Sequence, residues 1–177
     1  EVIISNNIKI QEIKDHAFSN CYNLTGFTIP SCLASIGNGA FNYCSNLTKF
    51  EVDTSNPNYS SSDDGTILFN KNKTELIAYP SATGDITIPD GVKSIGEYAF
   101  ANCSSLTSIE IPDGITSIGT YAFRYCSNLT NVTIPDSVTT IGVSAFYYCE
   151  NLTSVIIGSS VTKIDCDAFL ACANLTS

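Results

Sequence analysis

Apolar and polar positions along this chain repeat with a fixed period. Ile13, Ile36, Ile95, Ile118, Ile141 and Ile164 each lie eight residues before a cysteine. An Ala-Phe pair follows each Ile, at Ala17-Phe18, Ala40-Phe41, Ala99-Phe100, Ala122-Phe123, Ala145-Phe146 and Ala168-Phe169. Then come Cys21, Cys44, Cys103, Cys126, Cys149 and Cys172, each with a Leu-Thr pair three residues on. The unit is 23 residues long and reads roughly VxxIGxxAFxxCxxLTxIxIPD. Self-similarity at such a period marks a stacked-repeat architecture.

Spacing changes within each unit. Leu106, Ile109 and Ile111 end in an alternation that predicts a strand, and Pro112-Asp113-Gly114 predicts a turn. The Tyr98-Ala-Phe-Ala-Asn102 stretch has helical spacing but is short, so it predicts one or two turns of 3-10 or α-helix. One unit cannot bury its own apolar face, and stacking buries a continuous core.

The stretches IPDGVKSIGEYAFANCSSLTSIEIPD and IPDGITSIGTYAFRYCSNLTNVTIPD resemble leucine-rich repeats of the BspA type, and the resemblance covers essentially the whole chain. It implies an α/β repeat solenoid: a curved right-handed stack with a parallel β-sheet on the concave face. The short 3-10/α turns then lie on the opposite side. It also implies a surface or secreted location and adhesion to extracellular partners.

The expected organisation is one domain over residues 1–177. Its repeats are 9–31, 32–54, a degenerate 55–90, 91–113, 114–136, 137–159 and an incomplete 160–177. Cysteines 44 and 103 are 59 residues apart, so residues 55–90 hold a repeat 13 residues longer than the rest. The runs Gly65–Phe69 and Thr74–Pro80 around Asn70–Lys73 predict a β-hairpin insertion, projecting from or replacing the helical side. Residues 55–64 predict a loop by composition. Residues 1–8 read as the tail of a preceding repeat, and the chain stops inside a repeat. It reads as a fragment whose uncapped ends allow end-to-end association of an otherwise monomeric unit.

Composition narrows the function. Eight Lys and Arg against 17 Asp and Glu give a net charge of -9, which argues against nucleic acid. No apolar run approaches the roughly 18 residues of a membrane span. A single histidine, His16, leaves few routes to general acid–base chemistry. It occupies a variable surface column. The cysteine column lacks metal-ligand spacing and reads as buried thiols beside the Phe column. The sequence does not decide the pairing of Cys32 and Cys166. Asp90, Asp113 and Asp136 share one turn phase and read as turn formers, with a shared cation as the alternative. Asp63-Asp64-Gly65 lacks the spacing of a Ca²⁺ loop. Neither catalysis, nor a cofactor, nor a metal is expected. Asn58 and Asn72 are the best placed of the Asn-x-Ser/Thr sites for a glycan.

The strand exteriors are small and polar, from Gly26 and Thr28 to Ser154 and Ile156, a poor surface for binding hot spots. The opposite side carries tyrosines. Tyr121, Arg124, Tyr125, Tyr147 and Tyr148 are expected to form a patch suited to an extracellular protein or glycan. The alternative is that these tyrosines cover the core edge. Sequence therefore points to a non-enzymatic, adhesin-like interaction module at the cell surface or outside it. A structural spacer presenting other domains is the alternative.

Overall fold

The computed structural model describes residues 1–4 and 9–177. Part of the expected preceding-repeat tail, residues 5–8, lies outside the described residues. The first four residues include Val2, which pairs in parallel with Phe27.

Each regular rung contributes two parallel strands. The strand before each Ala-Phe corner is β1 (Glu12–Ile13), β3 (Ser35–Ile36), β9 (Ser94–Ile95), β11 (Ser117–Ile118), β13 (Thr140–Ile141) and β15 (Lys163–Ile164), and β7 (Glu75–Ala78) is its counterpart in the degenerate repeat. The longer strand after each cysteine is β2 (Gly26–Ile29), β4 (Lys49–Val52), β10 (Leu106–Glu110), β12 (Asn131–Ile134) and β14 (Ser154–Ile157), and β8 (Gly84–Thr87) is its counterpart in the degenerate repeat, which lacks the cysteine. The insertion adds β5 (Tyr59–Ser61) and β6 (Leu68–Asn70). Strands β8, β10, β12 and β14 pair in parallel as one sheet, and β2 pairs with β4 as another. Strands β7, β9, β11, β13 and β15 form the second ladder, also in parallel.

Repetition of identical residues builds the core. Phe100, Phe123 and Phe146 are fully buried and stack face to face at 4.9 and 5.0 Å between ring centres. That spacing matches the roughly 4.8 Å between strands. The Ile-Gly step is equally constrained. A Cβ on Gly119 or Gly142 would meet the backbone of the preceding rung at 2.8 and 2.7 Å. Only glycine permits rungs to stack that closely there.

The sheets agree with the sequence reading, but the α/β class and its 3-10/α turns do not. Among the described residues there is no helix. The Ala-Phe corner alternates its backbone donors. Ala99, Ala101 and Cys103 N–H groups donate three residues back, to Gly96, Tyr98 and Phe100. Tyr98, Phe100 and Asn102 instead donate to Thr120, Ala122 and Arg124 of the next rung. A helix directs every donor along its own axis, so this corner is a β-solenoid turn. Two left-handed residues per rung enforce it, such as Tyr98 at φ 59° and Asn102 at φ 66°. The same two columns are left-handed throughout: His16, Gly39, Tyr121, Ser144 and Asp167 in one, Asn20, Tyr43, Tyr125, Tyr148 and Ala171 in the other.

The degenerate repeat departs most. Strands β6 and β7 form an antiparallel hairpin. The expected loop at 55–64 instead contains β5, antiparallel to β6. The hairpin does not replace the corner as a separate projection. Its strand β7 joins β9 in the ladder and begins a shortened rung. Tyr79 then takes the Phe position, 5.8 Å from Phe100. The insertion interrupts both ladders and separates two apolar clusters. Asn56 anchors it. This side chain is fully buried, donates to the carbonyls of Pro30 and Leu33, and accepts from the Asn58 and Tyr59 N–H groups.

Candidate binding surface

The Tyr columns owe their position to the corner geometry. Left-handed residues at Tyr121, Tyr125 and Tyr148 turn the chain outward, at φ 56°, 59° and 58°. Arg124 and Tyr147 occupy one intervening column on adjacent rungs. The result is a single cluster. The Arg124 guanidinium carbon lies 5.1, 4.7 and 5.4 Å from the ring centres of Tyr121, Tyr125 and Tyr147. Tyr148 completes it, 5.2 Å from Tyr125 and 4.7 Å from Tyr147. All five residues singled out from the sequence therefore lie together.

The charge in this cluster is distinctive. Among the described residues no carboxylate pairs with Arg124; the four ion pairs all involve lysines. Its buried Nε has no hydrogen-bond partner. Stacking on aromatic faces holds such a cation, at about 0.5–2 kcal/mol per contact. The sequence did not single out Tyr22 or Asn102 beside this row. They line a shallow groove of about 390 Å³ that also includes Tyr43, Tyr125 and Tyr148. The 23-residue spacing from Tyr22 to Ser45, not to another tyrosine, hid Tyr22.

Other candidates have structural roles. Cys44, Cys103, Cys126 and Cys149 are buried. Each donates its thiol to the preceding rung, as Cys126 does to the Phe100 carbonyl at 3.2 Å. Burial pushes Cys44 and Cys103 up to about 11 and about 12. Burial also raises Cys126 well above its ordinary range. Cys32 Sγ donates to the Ile10 carbonyl, and Cys166 is exposed. His16 is exposed and packs edge-on to Tyr98. Asp64 accepts from Ser62 and Thr66 and so shapes its own loop, which lowers its pKa. Asp136 accepts from the N–H and hydroxyl of Ser159 on the next rung. Among the described residues no His, Cys, Asp and Glu cluster is arranged to hold a metal ion. No helix among the described residues is long and apolar enough to cross a membrane.

Comparison with known proteins adds to the geometry. A leucine-rich repeat protein from Eubacterium ventriosum is 28% identical with a TM-score of 0.78, covering 94% of this chain and 51% of its own. A leucine rich cell surface protein from Faecalibacterium prausnitzii is 29% identical with a TM-score of 0.69, covering 97% and 51%. The pneumococcal vaccine antigen PcpA is 25% identical, also with a TM-score of 0.69, covering 93% and 48%. The chain spans about half the length of these structures. No curated protein matches it significantly. The family model described as "BspA type Leucine rich repeat region (6 copies)" matches residues 1–81 and 73–177. With its rungs, its Phe and Cys ladders and this match over both halves, the chain belongs to the BspA-type leucine-rich repeat family.

Proposed function

We propose that the chain is a non-enzymatic interaction module of a surface or secreted protein. It binds an extracellular protein or glycan through Tyr121, Arg124, Tyr125, Tyr147 and Tyr148. One observation carries the reading: a guanidinium stacked among three tyrosine rings with no carboxylate paired to it. Aromatic residues and arginine dominate binding hot spots, and an unpaired cation is available to an anionic group on the partner. The cell-surface description of the F. prausnitzii structure supports an extracellular setting. Among the described residues, the buried thiols and the exposed His16, packed against Tyr98, supply no nucleophile–base pair.

An array of extracellular-matrix proteins and acidic and neutral glycans, probed with the chain, tests this. Binding that falls about tenfold in Y125A/Y148A, with an unchanged circular dichroism spectrum, supports it. Binding indifferent to that variant removes the site. No ligand on the array favours the spacer role instead.

A further inference from the structure

The insertion does more than lengthen a rung: it leaves a sheet edge open inside the stack. Strand β8 ends its four-strand sheet, with β10 on one edge and no strand on the other. Gly84 and Ile88 direct their N–H groups to the β10 rung. By the alternation of a strand, the backbone groups of Asp85 and Thr87 face the free edge. Regular rungs have no such edge, because the preceding long strand covers it. Here the insertion intervenes. Its Gly65 carbonyl accepts from Phe50 on β4, at 2.7 Å, while no backbone bond joins it to β8.

A groove of about 600 Å³ runs between the insertion and this edge. Ile67, Phe69 and Val92 floor it, and half-buried Tyr79 and Ile86 are accessible in it. The carboxylates of Asp63, Asp64 and Asp90 stand at its rim. The rim has one cation, Lys73, only 4.0 Å from Asp63. Negative charge therefore exceeds positive around an apolar trough beside an unpaired strand. Open sheet edges are templates for strand addition.

We infer that this groove binds an extended peptide segment carrying a basic side chain, added in line with β8. Main-chain bonds to Asp85 and Thr87 hold the segment. An apolar residue enters the trough, and a Lys or Arg reaches the rim carboxylates. This site is independent of the tyrosine cluster, which lies on the corner side.

The probe is a fluorescent array of pentapeptides alternating Val and Thr around a central Lys, with Glu-centred and Pro-centred counterparts. Lys-centred peptides are expected to bind about tenfold more tightly than Glu-centred ones and to weaken with salt. D63N/D90N should remove most of that preference. T87P deletes one edge donor at a position where an edge strand tolerates proline, and should cost about tenfold in affinity. Should T87P fail to fold, backbone N-methylation of the peptide makes the same test from the other side. Absence of binding, equal binding of Lys- and Glu-centred peptides, or indifference to both T87P and N-methylation would overturn the inference.

Discussion

Asn56 offers the sharpest test of how the insertion is held. It occupies the column that Leu33, Val92, Ile115 and Val138 fill in other rungs, each 0–1% exposed. Repeat logic alone says that Asn56→Leu restores the pattern and stabilises the chain. The structure says the opposite. The amide donates to Pro30 and Leu33 carbonyls at 2.7 and 3.1 Å and accepts from Asn58 and Tyr59 N–H groups at 2.8 and 2.9 Å. Pro30 keeps a second donor, the Leu33 N–H. The other three groups lose their partners, at roughly 1–3 kcal/mol each. Burying leucine returns about 2 kcal/mol. The net loss should centre at about 4 kcal/mol, within a range of about 1–7 kcal/mol. Detaching Tyr59 deepens it, because the Ile36 N–H donates to the Tyr59 hydroxyl at 2.7 Å. Guanidinium unfolding followed by circular dichroism measures the difference. An Asn56→Leu protein as stable as the parent, or more so, would refute this reasoning.

Three further outcomes follow from the same ladders. Phe123→Ala removes a fully buried ring stacked on both sides and should cost about 3–5 kcal/mol; Phe169→Ala, partly buried in the last rung, should cost clearly less in the same assay. The buried thiols ionise later in the native state than near 9, their ordinary value, with Cys103 at about 12. Native and unfolded chains are both protonated below pH 9, so stability is level there. Above it the unfolded chain releases protons first, and stability should fall by about 1.4 kcal/mol per pH unit per thiol until the native pKa is reached. Denaturation midpoints from pH 8 to 10.5 check this, and Cys103→Ala should flatten the slope. Finally, Tyr148→Gly relieves a left-handed residue at φ 58° while losing two ring contacts. Its thermal midpoint should therefore move less than that of Tyr148→Ala, which keeps the strain.

Much of this was legible from the chain because stacking demands the same residue at the same place. Phe100, Phe123 and Phe146 could be assigned to one buried column from spacing alone, and the Thr of each Leu-Thr pair to one row. Thr153 and Thr176 hydroxyls indeed donate to Thr130 and Thr153 carbonyls on the preceding rungs. A second row, Thr116, Thr139 and Thr162, does the same. The corner departs from the helical reading because Tyr-Ala-Phe-Ala-Asn has helical spacing, and a side chain such as Tyr gives little sign of a left-handed backbone. Gly39, Asn20 and Asn102 in those columns carried the signal, since Gly and Asn favour positive φ. Strand β5 was hidden by its polar neighbours: Tyr59-Ser60-Ser61 pairs because Asn56 and the Asn70 and Lys71 carbonyls receive it. The five residues of the tyrosine cluster and their patch could be named from column positions, but the stacking of Arg124 on three rings, with no carboxylate partner among the described residues, is a matter of three-dimensional geometry.

Titration of the parent chain and Y125A/Y148A against the strongest array ligand bears most directly on the central claim, that the corner side is a binding surface. Saturable binding by the parent, weakened about tenfold in the variant while its circular dichroism spectrum at the assay temperature stays that of the parent, is the predicted result. Equal affinity of the two proteins for that ligand would contradict it.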